Sequence, residues 1–154
     1  MSLYSERLLP GPWIFVITAL IIPASLLVFL PINFTVGVVC AAVLYSACVI
    51  LLVISSPRIE VTDAALVAGR ARIPLINVGD ASGYTGAEAT AERGVRLDAR
   101  AWLVIRGWIS PVVKVAVNDA DDPTPYWLVS TRHPRDLVAA LNKAQHDDRA
   151  IAPK

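Results

Sequence analysis

A long run without any charged side chain constrains this sequence more than its other features do. After Glu6 and Arg7, no Asp, Glu, Lys or Arg occurs before Arg58. Two apolar stretches fill the run: WIFVITALIIPASLLVFL at residues 13–30 and FTVGVVCAAVLYSACVILLVI at residues 34–54. Each approaches the roughly 20 residues that a helix needs to cross the hydrocarbon core of a bilayer. The sequence therefore predicts two transmembrane helices.

The connection between the two stretches predicts how they are arranged. Only Pro31, Ile32 and Asn33 separate them, and a proline with an asparagine favours a tight turn. We therefore expect an antiparallel hairpin within residues 1–57, in a multi-pass protein of the cell membrane. The turn has no basic residue, whereas basic residues flank the hairpin, which predicts that both termini are cytoplasmic. These flanking residues are Arg7, Arg58, Arg70 and Arg72.

A cleaved signal peptide is the competing interpretation of the first stretch. Its apolar length exceeds the usual 7–15 residues, and Arg7 is the only basic residue before it. We expect the helix to be retained, with a kink at Pro23. In the second stretch Gly37, Ala41 and Cys48 lie on one helical face, and such small residues let another helix approach closely. That neighbour is either the first helix or a second copy of the protein.

Residues 58–154 have a different composition and predict a small separate domain. Of the 14 basic and 13 acidic residues, all but Arg7 and Glu6 lie in this region, so its charge is nearly balanced. Nucleic acid is therefore excluded as an expected partner, because phosphate binding needs a concentrated basic surface. Neither a metal-spaced Cys/His cluster nor a cofactor motif is present, and we expect no metal and no cofactor.

Short β-branched and aromatic runs predict a sheet in this domain, followed by one helix. The runs are RIEV, ALVAG, ARIPL, AWLVIRGW, VVKVAV and YWLVS. After Pro134, apolar residues recur at helical spacing at Leu137, Ala140, Leu141 and Ala144. The expected fold class is therefore α+β: an N-terminal membrane hairpin, then a small, bent antiparallel sheet closed by a helix from about residue 134.

Two groups of residues invite catalytic or metal-binding interpretations that the local pattern disfavours. Ser130, His133 and Asp136 are the residue types of a serine hydrolase, but no glycine flanks Ser130 as in a nucleophile elbow. With Pro134 at the first helical position, we expect His133 to be the helix cap and Asp136 to bond back to its amide.

The loop NDADDPTPYW concentrates carboxylates at Asp119, Asp121 and Asp122. It lacks the glycine and the later glutamate of an EF-hand, so we expect an ordinary connection between two strands of a hairpin.

Aromatic and basic residues of the predicted strands form the candidate partner-binding face. Tryptophan, tyrosine and arginine often dominate protein interfaces, although they are also common in cores. The candidates are Trp102, Arg106, Trp108, Lys114, Tyr126 and Trp127. We therefore expect a membrane-anchored, non-enzymatic binding or scaffolding protein that recognises a protein partner. The alternatives are an accessory subunit that docks through the hairpin and, ranked last, a serine hydrolase.

Several motifs of the sequence resemble known families. RIEVTDAALVAGRARIPLINV and YWLVSTRHPRDLVAAL resemble bacterial pleckstrin-homology-like domains that follow a pair of membrane helices. Through RGWISPVVKV and DADDPTPYWLVSTRHP, the whole chain resembles an actinobacterial family of small membrane proteins of unknown function. The resemblance implies a pleckstrin-homology-like fold for residues 58–154 and a membrane location, without an activity. The polar segment at residues 83–101 is longer than that compact fold requires.

Overall fold

A computed structural model describes residues 2–151 of the protein, and side chains over residues 2–147. The chain forms two compact units. Residues 9–56 form a helical unit, and residues 2–8 join residues 57–151 in a sheet unit. The predicted division at residue 57 placed the first eight residues with the hairpin. The structure differs because residues 2–7 form a strand that pairs within the sheet unit.

The helical unit contains three helices, α1 (Pro12–Thr18), α2 (Ile21–Phe29) and α3 (Phe34–Ile54). Both α3 and the combined span Pro12–Phe29 are long and apolar enough to cross a membrane, with mean hydropathies of 2.7 and 2.3. The break between α1 and α2 lies just before Pro23, as expected for a residue that has no N–H for the carbonyl of Ala19. That carbonyl instead accepts a hydrogen bond from Ile22.

The turn between α2 and α3 ends in a side-chain cap. The Oδ1 of Asn33 accepts hydrogen bonds from the amides of Thr35 and Val36, at 2.9 and 3.3 Å. These bonds satisfy amides that have no partner within the helix. The cap fixes the start of α3 at Phe34, as the sequence predicts.

The first four strands of the sheet unit form one antiparallel sheet. They are β1 (Ser2–Arg7), β2 (Arg58–Thr62), β3 (Ala65–Ala68) and β4 (Ala71–Pro74), and they are neighbours in that order. Strand β1 pairs with β2 although the whole helical unit separates them in sequence, and Ser5 lies opposite Glu60. Sequence reasoning missed this strand.

The second sheet contains β5 (Val78–Tyr84), β6 (Trp102–Val104), β7 (Val112–Val117) and β8 (Tyr126–Ser130), in the spatial order β5-β7-β8-β6. Pairing is antiparallel between β7 and its two neighbours, but β6 runs parallel to β8. The predicted antiparallel sheet is therefore corrected to two sheets, the second of them mixed. Sequence reasoning also missed β5.

The described part of the sheet unit also contains two α-helices, α4 (Gly86–Arg93) and α5 (Pro134–Ile151), and a short 3-10 helix at Leu75–Asn77. Helix α5 begins at the predicted proline and packs Leu137, Leu141 and Ala144 into the main core, together with inward residues of both sheets. Helix α4 lies in the polar segment at residues 83–101 and contributes Ala89 to a second, smaller apolar cluster on the opposite face of the second sheet.

The end of β1 is anchored in the main core. Leu8 is fully buried, and its amide donates to the carbonyl of Pro57 at 2.9 Å. The indole Nε1 of Trp108 donates to the carbonyl of Leu8 at 3.3 Å. Leu8 and Pro57, the two residues of the sheet unit that flank the helical unit in sequence, are therefore hydrogen-bonded neighbours.

We predict that Leu8→Ala destabilises the sheet unit by about 2–5 kcal/mol, the usual cost of truncating a fully buried leucine. Urea unfolding of the full-length protein in detergent, followed by tryptophan fluorescence, measures the change. Val95→Ala is the control, because Val95 is 93% exposed, and it should change stability little. Equal, small effects for both variants would contradict the placement of Leu8 in the core.

Candidate functional site

The structure does not bring the six candidate partner-binding residues together on one face. Tyr126 and Trp127 are adjacent on β8 and only 8% and 6% exposed, and they point to opposite sides of the sheet. Trp127 belongs to the main core, and Tyr126 belongs to the cluster under α4. The expectation of one aromatic and basic face is therefore wrong in its geometry.

The three tryptophans of the set differ in their contacts and in their exposure. Trp102 lies beside Trp127 in the parallel pairing of β6 with β8, with ring centroids 6.3 Å apart, and remains 46% exposed. Trp108 packs against the main core and bonds to the carbonyl of Leu8. Arg106 bonds through Nη1 to the carbonyl of Ile105 at 2.9 Å. Trp102 is thus the most exposed of the four candidate aromatic side chains.

Lys114 belongs to a partly buried polar cluster centred on the buried Glu92, a residue that sequence reasoning did not single out. The Nζ of Lys114 lies 3.0 Å from Oε2 of Glu92 and 4.2 Å from the ring centroid of Tyr126. Arg96 contacts Oε1 of Glu92 at 3.3 Å, and the Tyr126 hydroxyl accepts from the amide of Asp98 at 2.7 Å. These contacts hold α4 and the following loop on the second sheet. The spacing of Glu92 and Arg96, four residues apart, is the one sequence signal for this cluster.

The predicted alternative of a serine hydrolase finds no assembled triad in the described residues. Ser130 is fully buried, and its Oγ accepts from the amide of Arg106 at 3.1 Å. The side chains of His133 and Asp136 lie at the surface, with 3.8 Å between Nδ1 and Oδ2. The hydroxyl of Ser130 therefore ties β8 to the chain after β6.

The cap at the start of α5 differs from the prediction. The amide of His133 donates to Oγ1 of Thr131 at 3.1 Å, and no bond to Asp136 occurs among the described residues. The proposed capping box is therefore wrong. Thr131 precedes His133 by two residues, so it provides a short side-chain turn that competes successfully with the acid inside the helix. Asp136 lies in the first turn of α5, where the helix dipole favours its negative charge.

Thr131 also belongs to a second polar cluster, centred on Glu6 of β1. The Oε2 of Glu6 accepts hydrogen bonds from the hydroxyls of Tyr4 at 2.7 Å and Thr131 at 2.5 Å. Its Oε1 accepts from the amide of Arg132 at 3.1 Å, and the Arg132 guanidinium lies 3.6 Å away. Thr131 and Arg132, within the segment STRHP, therefore hold the N-terminal strand in place through their contacts with Glu6. The only sequence signal for this cluster was Glu6 itself, the single acidic residue before the apolar run.

Both glutamates are ionised more readily than an exposed glutamate. Burial raises the pKa of Glu6, but hydrogen bonds from Thr131, Tyr4 and the Arg132 amide outweigh burial and hold the pKa below its ordinary 4.5. Burial likewise raises the pKa of Glu92, and the bonds from Lys114 and Arg96 outweigh it. Burial also raises the pKa of the Tyr4 phenol, reinforced by the neighbouring Glu6 charge, so it remains a donor to that carboxylate.

Two of the three predicted helix-packing residues are buried, and the third is partly exposed. Gly37 and Ala41 are buried against the rest of the helical unit, whereas Cys48 is half-buried. A Cβ on Gly37 would lie 3.1 Å from Cβ of Phe29, so the absence of a side chain permits close packing of α2 on α3. Of the two neighbours considered from the sequence, the first apolar stretch covers Gly37.

The acidic loop between β7 and β8 behaves as an ordinary connection. Oδ1 of Asp119 accepts from the amide of Asp121 at 3.1 Å, and Oδ1 of Asp122 accepts from the amide of Thr124 at 2.9 Å. Such local bonds are typical of turns. The antiparallel pairing of β7 with β8 confirms the predicted hairpin. Among the side chains of residues 2–147, no group of three or more His, Cys, Asp and Glu residues is placed to hold a metal ion.

Comparison with protein-family models matches residues 3–141 to a family described as a protein of unknown function, DUF3093. The chain belongs to the DUF3093 family. The match begins in β1, passes through the helical unit and ends within α5, so both units belong to the DUF3093 sequence pattern. Comparisons with curated proteins and with solved structures give no match.

We predict that Glu92→Ala destabilises this DUF3093 protein by about 1–3 kcal/mol, because it leaves the ammonium of Lys114 without its charged hydrogen-bond partner. Glu88→Ala in the same helix is the control and should have a smaller effect, since Glu88 is exposed. Chemical unfolding measures both. A cost for Glu92→Ala no larger than that for Glu88→Ala would contradict the cluster's structural role.

We also predict an acid-dependent loss of stability from Glu6 and Glu92. A carboxylate whose pKa is lowered by folding binds more protons when unfolded, so its contribution is complete above the ordinary pKa of 4.5. The contribution is lost as the pH falls through the lowered pKa of the folded state. Between about pH 5 and pH 3, the wild type should therefore lose more stability than Glu6→Gln or Glu92→Gln. Parallel pH profiles for all three proteins would contradict this account.

Proposed function

We propose that this DUF3093 protein is a membrane-anchored, non-enzymatic binding or scaffolding protein. Its helical unit spans the bilayer twice, and its sheet unit recognises a protein partner in the cytoplasm. The observation that carries the proposal is the outward direction of apolar side chains throughout the helical unit. Trp13, Leu27, Leu51 and Ile54 are 69%, 74%, 71% and 75% exposed, which a lipid environment would stabilise.

The pairing of β1 with β2 supports an even number of membrane crossings. These strands flank the helical unit in sequence and lie in one sheet, so both ends of the hairpin must emerge on the same side of the bilayer. The basic residues at both ends, and the neutral turn at residues 31–33, favour the cytoplasm as that side.

The arrangement of the two sheets supports a pleckstrin-homology-like fold for the sheet unit. Two four-stranded sheets enclose one core, and a C-terminal helix contributes to it. The parallel strand β6 and the helix α4 are additions to that plan. A fold of this kind hosts many binding functions, so the fold supports a binding unit without naming its ligand.

The internal pairing of polar groups supports a non-enzymatic role. The carboxylates of Glu6 and Glu92 are occupied by hydroxyl, ammonium and guanidinium groups of the same unit. The Ser130 hydroxyl is buried on a backbone amide. A catalytic constellation instead needs a nucleophile and a base that meet at an accessible position.

An accessory subunit of a larger membrane complex is the second candidate function, and a groove in the helical unit favours it. The groove has a volume of about 350 Å³ and an almost wholly apolar lining, formed by Ile22, Leu26, Val38, Ala41, Ala42, Tyr45 and Ser46. A partner helix there would be sensitive to Ala42→Phe. Loss of co-purifying subunits in that variant alone would favour this candidate over recognition by the sheet unit.

We predict that a cysteine at Ile32 in the turn reacts with an impermeant thiol reagent added to intact cells. Cysteines at Ser110 and Asp121 in the sheet unit should react only after permeabilisation. The background protein carries Cys40→Ser and Cys48→Ser, so that only the introduced thiol is labelled. Ser110, Asp121 and Ile32 are all exposed, which makes the three positions comparable. Labelling of the sheet-unit cysteines from outside would contradict the proposed topology.

A further inference from the structure

The edge of the second sheet has unused backbone hydrogen-bonding groups. Strand β5 pairs with β7 on one side only, and Ala81–Tyr84 lie opposite Val112–Val115. In an antiparallel pair, alternate residues direct their N–H and C=O groups away from the partner strand. Among the described residues, nothing bonds to the outward groups of Ala81–Tyr84. The earlier part of β5 differs, because Gln145 donates to the carbonyls of Val78 and Gly79 at 2.7 and 3.1 Å.

A groove runs beside this open edge, between β5 and the first half of α5. Its volume is about 300 Å³, and its lining is mostly apolar, from Gly83, Pro134, Arg135, Val138, Ala139 and Asn142. A Cβ at Gly83 would lie 3.1 Å from Cβ of Pro134, so the strand contributes almost no side-chain bulk to the groove. The open backbone and the empty apolar groove are therefore next to each other.

We propose that an extended segment of a partner protein binds here as an added strand beside β5. This inference rests on the proposed binding function and assigns the site at which the partner binds. Main-chain hydrogen bonds to Ala81–Tyr84 supply affinity, and every second side chain of the segment points into the groove. Those side chains are apolar, since Val138 and Ala139 form its wall.

A second copy of the chain fits the groove poorly. Side chains alternate across a strand, and Ala81 packs on the α5 side with Gly83, whereas Tyr84 packs in the cluster under α4. A second β5 would therefore offer only alanine and glycine to the groove, and about 300 Å³ would remain unfilled. A partner segment with valine, leucine or isoleucine at these positions fills it.

The charge at one end of the groove indicates an acidic residue in the segment. Arg135 lines the groove and has no ion-pair partner within the described part of the chain. It is the second residue of α5, where the helix dipole also favours an anion. A carboxylate at the end of the bound segment therefore complements this position, and a lysine there opposes it.

The test uses the full-length protein in detergent micelles and two fluorescent synthetic peptides that alternate valine and threonine. One peptide ends in glutamate and the other in lysine at the position facing Arg135. Fluorescence anisotropy should show about tenfold tighter binding of the glutamate peptide, as expected for a charge pair against a like-charge contact. Arg135→Glu should reverse the preference. Lys143→Glu is the matched control on the same helix, outside the groove, and should leave the preference unchanged.

Two further measurements identify the bound geometry. Amide hydrogen exchange at Ala81–Tyr84 should slow when the glutamate peptide is added, and Ala139→Phe, which obstructs the groove, should weaken binding about tenfold. Failure of both peptides to bind, binding without protection of Ala81–Tyr84, or an equal effect of Arg135→Glu and Lys143→Glu would each overturn the inference. Cysteine accessibility does not depend on this site, so the proposed membrane topology can hold when the groove inference fails.

Discussion

The pairing of β1 with β2 closes the sheet unit across the whole helical unit. For a flexible loop of this length, the logarithmic estimate of closure entropy is on the order of 3–4 kcal/mol. The chain offsets it with the buried side chain of Leu8, the Leu8–Pro57 backbone bond and the Glu6 cluster. Folding of the intervening residues into packed helices reduces the cost further, because an ordered hairpin already brings its ends together. Residues 2–8 are therefore an integral part of the sheet unit, although the helical unit separates them from the rest of it in sequence.

The clearest sequence signals predicted the elements that depend on local pattern. The apolar run gave α3 with its correct bounds, and Pro134 with its helical spacing gave the start of α5. Strand β1 was missed because its six residues are largely polar and its partner β2 is distant in sequence. The parallel pairing of β6 with β8 also depends on non-local contacts, which residue patterns do not encode.

For the candidate site, the sequence indicated which residue types pack well but not which of those residues lie together. Aromatic residues in YWLVS correctly indicated a well-packed strand, but neighbouring side chains in a strand point to opposite faces, which separates Tyr126 from Trp127. Glu92 and Gly83 were missed because their roles arise from tertiary contacts with Lys114 and Pro134. The open edge of β5 has no side-chain signature at all, since its binding groups belong to the backbone.

Cross-linking between β1 and β2 tests most directly whether the N-terminal strand closes the sheet. Ser5 lies opposite Glu60, so Ser5→Cys with Glu60→Cys, in a full-length protein lacking Cys40 and Cys48, should form a disulfide under mild oxidation. Ser5→Cys with Val95→Cys is the mismatched pair, because Val95 lies in the loop after α4, outside both sheets. Efficient bonding of the first pair alone is the predicted result. Equal, weak bonding of both pairs would show that the N-terminal strand does not close the sheet.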